Sequence, residues 1–467
     1  MKNSIRLLSY FLFSILLISC MDDMDDVLPE NQDMSQASEF IYRGLNYFYL
    51  YKSNTPELAN DYFSHTSDKE SFLSNFENPN DLFHYLKYEG DRFSVLVDDY
   101  VDLERALQGR SLSTGAIFLG FTDNDNNYYI LVRNVIENSN AELQGVVRGD
   151  KFHAINGQTI TTENVNELLN APSIELSYLH EENGTLIPTN ETVTLHNSDI
   201  DEPSIGMYKI LNIDNTKIGY LMYNSFIAEY NEELNEVFRY FKNEGVDELI
   251  LDLRYNSGGS IYSAELLSNM ITGQFKGQVL YENEWNEDLQ PYNGEVVKFT
   301  DKFRSGETIE SLEMSRVAVI TQSNTASASE LVINALNPYI NILQVGMDTR
   351  GKYQGSILLY DSPNFNRQYM NPLHRYAMLP LVLKTKNSEG FTDFDEGLPV
   401  DIEYQERVKD IKNNLGTVND ILLRKALEGL GINVPEERGT PTIELPTSSL
   451  QTISDKMDGI MYIDLQQ

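Results

Sequence analysis

Glu248-Leu-Ile-Leu-Asp252-Leu-Arg-Tyr-Asn-Ser-Gly-Gly259 sets a short apolar run directly against a pair of glycines. The run from Glu248 to Leu253 is the length of a strand, with Leu249, Ile250 and Leu251 apolar in succession, as expected where both faces of a strand are covered. Paired glycines after it let the backbone turn sharply and leave N–H groups exposed. Exposed N–H groups beside a reacting carbonyl make an oxyanion hole, commonly the largest single contribution to catalysis. Taken alone, the same turn serves equally as a structural strand-to-helix connection.

Outward from this stretch the chain alternates strand and helix. Ile218 to Phe226 is expected as a strand. Leu234, Val237, Phe238 and Phe241 then form one apolar helical stripe, which Gly245 stops. Tyr262 to Met270 is a second helix, Val317 to Thr321 a strand, and Ala328 to Leu336 a helix ended by Pro338. Ile340 to Val345 is a further strand. Repeated βαβ units imply parallel strands, right-handed crossovers and helices laid over the sheet. Open sheets of this kind carry their chemistry at the carboxyl ends of strands, where two more motifs fall. Ser323-Asn-Thr-Ala-Ser327-Ala-Ser329-Glu330 lies between a strand and a helix. Free N–H groups and the helix dipole favour negative charge there, although Ser327 with Glu330 also fits a capping box. Arg350-Gly351-Lys352 occupies the loop after the next strand. A loop lysine is ordinarily solvated, but beside a nucleophile, with burial lowering its pKa, it becomes a general base.

Ahead of this core, residues 110–200 have the spacing of short strands. Ala141-x-x-x-Gly145-x-x-x-Gly149-Asp150 is followed by Ile155-Asn156-Gly157, a tight-turn signal. The segment resembles a PDZ domain. Such a module takes an extended peptide on an open sheet edge and holds its terminal carboxylate with backbone N–H groups. By position, Thr114, Gly115, Ala116 and Ile117 would form that carboxylate loop. Residues 37–109 have a helical pattern rich in Tyr and Phe.

The chain has 467 residues and a formal net charge of −36, which argues against nucleic acid and anionic lipid as partners. Lys2 and Arg6 precede an apolar run from Leu7 to Ile18, too short for an ordinary span and suited to a signal peptide over residues 1–19. The run ends in Leu17-Ile18-Ser19-Cys20, similar to a bacterial lipobox, and Cys20 is the sole cysteine. A lipid anchor on Cys20 is therefore expected, with residues 20–36 as an acidic tether. The implied location is the bacterial cell envelope. With one cysteine there is no internal disulfide and no thiolate metal cluster.

The Asp252–Gly259, Ser327–Glu330 and Gly351–Lys352 motifs together resemble the C-terminal processing peptidases, also called tail-specific proteases. Those enzymes place a PDZ domain before a crotonase- or Clp-like α/β core, here residues 205–430. The resemblance implies Ser327 as nucleophile and Lys352, 25 residues on, as its base. It implies Ala328 with Gly258 or Gly259 as oxyanion donors and a polypeptide as substrate. Gly397-Leu-Pro-Val-Asp401 is similar to a stretch that ends the family's core. One departure stands out. Many members carry a glutamine four residues after the lysine, and Ser356 occupies that position here. Gln354 or Ser356 could support the dyad in its place. No metal or cofactor is expected. His65, His84, His153, His180, His196 and His374 form no close ligand pair, and Asp123 and Asp125 lack the glutamate that would close a calcium loop. Two other readings remain open, a peptide-binding lipoprotein with an inert core and an acyl-CoA enzyme on the related crotonase architecture. Residues 431–467 carry no chemical signal.

Overall fold

The computed structural model describes residues 34–182, 184–434, 450–453 and 461–463. The expected signal peptide, Cys20 and most of the tether lie outside them. Among the described residues no helix is long and apolar enough to cross a membrane.

The centre of the molecule is a six-stranded sheet. Its order is Ile205–Ile213, Thr216–Tyr223, Glu248–Asp252, Arg316–Thr321, Asn341–Gly346 and Ile402–Glu403. Every pairing from Thr216–Tyr223 onward is parallel, as the βαβ alternation implies. The first pairing is antiparallel, because a tight hairpin through Asp214 and Asn215 joins its strands. Side chains alternate between two cores, as a period of two requires. Leu221, Leu249 and Leu251 face one cluster together with Leu234, Phe238 and Phe241 of the helix Asn231–Glu244. Ile218, Tyr220 and Ile250 face the other, beneath Leu422 and Leu427 of the helix Ile421–Gly429. Phe238 is fully buried, so Phe238→Ala would cost about 3–5 kcal/mol.

A second six-stranded sheet is mixed, in the order Gly259–Ser260, Met461–Ile463, Gln354–Ile357, Leu381–Asn387, Val279–Trp285, Val296–Lys298. The sequence pattern did not announce it. Pro380 divides the apolar run from Tyr376 to Leu383. Ala377–Leu379 pairs with Val95–Val97, whereas Leu381–Asn387 joins the second sheet. Proline has no N–H for a ladder, so a change of partner falls naturally at that residue. The N-terminal helices Met34–Phe48 and Pro79–Leu86 pack on this sheet through Phe40, Leu45, Phe83, Trp285 and Leu383.

Residues 110–201 form a separate β-rich unit. The chain enters by Arg110–Ser113 and leaves by Ser198–Asp201, paired antiparallel as a two-stranded stem. Within it, Ala116–Thr122, Tyr128–Val135, Lys151–Ile155, Ser173–Glu182 and Thr185–His196 make an antiparallel sheet. The short helix Val165–Leu169 closes its core through Val165.

Candidate active site

Three loops converge at the carboxyl ends of Glu248–Asp252, Arg316–Thr321 and Asn341–Gly346, which lie side by side in the central sheet. Each carries one of the three sequence motifs.

The glycine turn is fixed by buried charge. The fully buried Arg254 guanidinium donates from Nη2 to Asp252 Oδ2 and to Asp420 Oδ2, at 2.7 Å each, and from Nη1 to Glu406 Oε1 at 3.2 Å. Tyr220 Oη donates to Asp252 at 2.7 Å. The first and third residues of the Asp-Leu-Arg run are therefore scaffold. Asn256, also fully buried, ties the turn to the serine loop. Its Nδ2 donates to the Tyr223 carbonyl at 2.8 Å, and its Oδ1 accepts the Gly258 N–H at 2.9 Å. Its carbonyl accepts from Ser329 Oγ at 3.1 Å and from the Ala326 N–H at 3.2 Å. Gly259 has φ +133°, and a Cβ there would lie 2.3 Å from the Phe226 carbonyl oxygen. Only glycine fits.

Thr325 links all three loops. Its hydroxyl donates to the Leu253 carbonyl at 2.8 Å, and its own carbonyl accepts the Arg350 N–H at 2.9 Å.

Ser327 stands at the start of the helix Ala328–Leu336 with φ +67° and ψ −117°. A non-glycine residue in such a region stores roughly 1–3 kcal/mol of strain and persists only where its surroundings hold it. Glu330 supplies that hold, accepting the Ser327 N–H at 2.6 Å. The reciprocal half of the capping box does not form. Ser327 Oγ is buried and has no hydrogen-bond partner among the described residues. The serine is therefore not spent as a cap.

Glu330 also binds the lysine loop. Its Oε2 accepts the Lys352 N–H at 2.8 Å as well as that of Ser327. Its Oε1 accepts the Gly351 N–H at 2.7 Å and the Thr349 hydroxyl at 2.5 Å. One buried carboxylate thus fixes the backbones of Ser327 and Lys352 relative to each other. Burial pushes its pKa above the ordinary glutamate range, against these four donors. Thr349 is braced in turn by Leu398, whose N–H donates to its hydroxyl at 2.7 Å.

Lys352 is buried at 1% exposure. Burial lowers its pKa from 10.5 to about 7, with Asp91 pulling upward, Arg350 downward and Glu330 upward. Its Nζ lies 5.0 Å from the centroid of the Phe93 ring. Arg92, beside Phe93, donates to the Gly351 carbonyl at 2.7 Å and to that of Asp395 at 3.1 Å. The turn carrying these residues is held by Asp91, which accepts the Phe93 and Ser94 N–H groups at 2.9 Å and the Tyr49 hydroxyl at 2.7 Å. The N-terminal helical region therefore walls the lysine. Nothing in the Asp91-Arg-Phe93 triplet marked this role, because the contact depends on chain segments some 260 residues apart.

Of the two candidate supports, Gln354 is buried and its Nε2 lies 3.0 Å from Tyr51 Oη, again in the N-terminal region. Ser356 is buried in the same strand. The Thr114–Ile117 segment lies in the β-rich unit, where its stem passes into its first sheet strand. Two of its amides are occupied locally, Gly115 N–H by Ser113 Oγ at 3.1 Å and Ala116 N–H by Thr114 Oγ1 at 3.3 Å. A cleft of about 670 Å³ runs from Thr114, Ala116 and Ile117 to Ser257 and Asn324, connecting that segment with the glycine and serine loops. His374 is a structural histidine, with Nε2 2.9 Å from Asp361 Oδ2. Asp123 accepts the N–H groups of Asp125 and Asn127 within its own turn.

Comparison with known proteins agrees with this arrangement. Residues 217–359 match the model for peptidase family S41, and residues 36–95 match that for the peptidase S41 N-terminal domain. The first match contains the glycine turn, Ser327 and Lys352; the second contains Asp91 and Phe93. The carboxy-terminal processing protease CtpA of Bacillus subtilis is 25% identical over 261 residues, 54% of this chain and 51% of that one. The chloroplastic carboxyl-terminal-processing peptidase 1 of Arabidopsis thaliana is 24% identical over 236 residues, 50% of this chain and 45% of that one. The chain spans about half the length of the curated relatives it matches. An S41 protease structure from Bacteroides fragilis is 27% identical with a TM-score of 0.65, covering 84% of this chain and 96% of that one. The photosystem II D1 C-terminal processing protease, 17% identical with a TM-score of 0.50 over 84% of this chain and 97% of that one, shares the fold. By its family models, its relatives and its fold, this chain belongs to peptidase family S41.

Proposed function

We propose that the chain is an exported serine endopeptidase that hydrolyses polypeptides with Ser327 as nucleophile and Lys352 as general base. One observation carries the reading: Glu330 Oε2 accepts the backbone N–H groups of both residues, while Lys352 is buried with a pKa of about 7. A buried amine with that pKa is substantially neutral at physiological pH and can accept a proton.

Lys352 Nζ takes the proton from Ser327 Oγ as the oxygen attacks the scissile carbonyl carbon. The negative charge gathers on the carbonyl oxygen, opposite the Ala328 N–H at the helix start and an amide of the Gly258–Gly259 pair. The Gly258 N–H is held by Asn256 in this structure, so Gly258 can serve only if that bond opens. Collapse breaks the C–N bond, and Lys352 returns the proton to the leaving amine. Water, deprotonated by Lys352, then cleaves the acyl-enzyme ester and Ser327 recovers its proton. This is the Ser–Lys form of triad logic. The β-rich unit is assigned a PDZ-like part, receiving the substrate's C-terminal segment near Thr114–Ile117. A lipid on Cys20 is assigned the membrane attachment, on the periplasmic face or the cell surface.

The test is cleavage of an unstructured protein with an apolar C-terminus by the wild type, Ser327→Ala and Lys352→Ala. Turnover in the wild type with both variants folded and inactive is the expected result. Binding without cleavage in all three would replace the peptidase by a peptide-binding lipoprotein. Cleavage by Ser327→Ala would mean another nucleophile.

A further inference from the structure

Two short pieces of residues 431–467 sit where an extended peptide would be received. Gln451–Thr452 adds antiparallel to the outer edge of Ala116–Thr122, Gln451 opposite Gly120 and Thr452 opposite Leu119. The next residue, Ile453, packs on the apolar cluster of the β-rich unit, which includes Phe118, Leu168 and Leu169. It also lines the cleft that leads to Ser257 and Asn324. Further on, Met461–Ile463 lies in the second sheet between Gly259–Ser260 and Gln354–Ile357, parallel to both. Met461 stands opposite Gly259, and Tyr462 opposite both Ser260 and Ser356. Met461 is fully buried.

The flanking strands are the continuations of the glycine turn and of the lysine loop. Paired strands lie about 4.8 Å apart, so withdrawing Met461–Ile463 would leave a slot roughly 10 Å wide between two open edges, room for one extended chain. Both pieces are held by ladders of only two register pairs per edge, against six between Arg316–Thr321 and Asn341–Gly346. Short ladders are the ones that open at least cost. Ser327 and Lys352 are meanwhile buried, so a substrate carbonyl reaches them only after something moves.

We propose that Gln451–Ile453 and Met461–Ile463 are intramolecular occupants of the peptide path, and that an extended peptide binds by displacing them through the same strand additions. Ile453 holds the place of the peptide's apolar anchor on the β-rich unit. The identity of the competitor as substrate rests on the peptidase reading; the self-occupancy rests on the strand pairings alone.

The experiment measures binding of a fluorescein-labelled, unstructured peptide with an apolar C-terminus by anisotropy. It uses the chain with Ser327→Ala so that nothing is cut. In that background, Gln451→Pro with Ile453→Asp, and separately a chain ending at Ser449, are compared with the parent. Affinity should rise about tenfold or more, since a site open in only a fraction of molecules binds weaker by that fraction. In the Ser327-intact chain the same changes should lower KM. Unchanged or weaker binding by a folded Gln451→Pro/Ile453→Asp chain overturns the proposal. So does failure of that chain to fold, which would make the segments permanent structure. Tighter binding without any cleavage leaves self-occupancy standing and removes the peptidase reading. Cleavage with unaltered affinity does the reverse.

Discussion

Arg254 and Lys352 are both buried on loops at the same end of the central sheet, and burial is resolved differently in each. For Arg254 the attraction of Asp252, Asp420 and Glu406 outweighs desolvation, and its pKa is driven well above the usual range. For Lys352 desolvation outweighs Asp91 and Glu330, and the pKa falls to about 7. The number and closeness of carboxylates decide the outcome, not depth. Three carboxylates within hydrogen-bond reach make a permanent cation that fixes a loop. An aromatic wall and a smaller opposing charge make an amine that can exchange a proton.

The largest effect expected from breaking this contrast is at the lysine. Lys352→Met should lower turnover by roughly 10³–10⁴-fold, the upper part of the range for a general base. Lys352→Arg should be as inactive, because a guanidinium does not release its proton near neutrality. Stability should move the other way. Between pH 7 and 10.5 the unfolded lysine binds a proton that the folded one does not, so wild-type stability rises with pH there. Lys352→Met lacks that slope. Its advantage over the wild type should be greatest below pH 7 and shrink by about 1.4 kcal/mol per pH unit between pH 7 and 10. Urea unfolding at several pH values would measure it. A constant difference would mean the lysine is not desolvated.

Arg254→Met attacks the other member of the pair. It leaves the buried Asp252 and Asp420 without their cation, while Glu406 keeps Arg148 Nη2 at 2.8 Å, and should cost about 3–5 kcal/mol of stability. The same denaturation series would read this. Where the variant remains folded, the pH at which activity is half-maximal should be unchanged, since Arg254 acts on the loop and not on the lysine.

Only part of this contrast was legible in the sequence. Ser327 and Lys352 sit on motifs whose residue types and spacing announce chemistry, and the helix Ala328–Leu336 follows its apolar pattern to the residue. Asp252 and Arg254 belong to an equally visible motif, but their role depends on Glu406 and Asp420, which arrive from more than 150 residues away. Local pattern cannot report such a meeting. The wall of Asp91, Arg92 and Phe93 was hidden for the same reason. So was the second sheet, where Pro380 divides one apolar run between two partners and Met461–Ile463 inserts a strand with no periodic signal long enough to read.

Glu330→Gln should have an intermediate effect. The amide keeps the shape but replaces one acceptor oxygen by a donor group, so two of the four donors lose their partner. Hydrogen bonds to a charged group contribute about 1.5–3 kcal/mol each, and stability should fall by an amount of that order. The dyad would be misplaced rather than removed. Turnover should drop by roughly 10–100-fold with KM little altered. Since Glu330 raises the pKa of Lys352, the rising limb of the pH–rate profile should move to lower pH. A fall in turnover without that movement would assign Glu330 to scaffolding alone.

The smallest effect isolates the aromatic wall. Phe93→Leu keeps the lysine dry but removes the ring face 5.0 Å from Nζ. A cation over a ring gains about 0.5–2 kcal/mol, more when desolvated, and the gain belongs to the protonated form. Losing it favours the neutral amine. The pKa should fall by roughly 0.4–1.5 units, at about 1.36 kcal/mol per unit. Activity below pH 7 should therefore increase relative to the wild type, while the plateau above pH 8 stays close to it. Phe93→Ala should differ in sign. It admits water, weakens the desolvation that is the largest cause of the shift, and moves the limb to higher pH. Opposite displacements from two truncations of one ring would separate the wall's two contributions. A common direction would show that one of them is negligible.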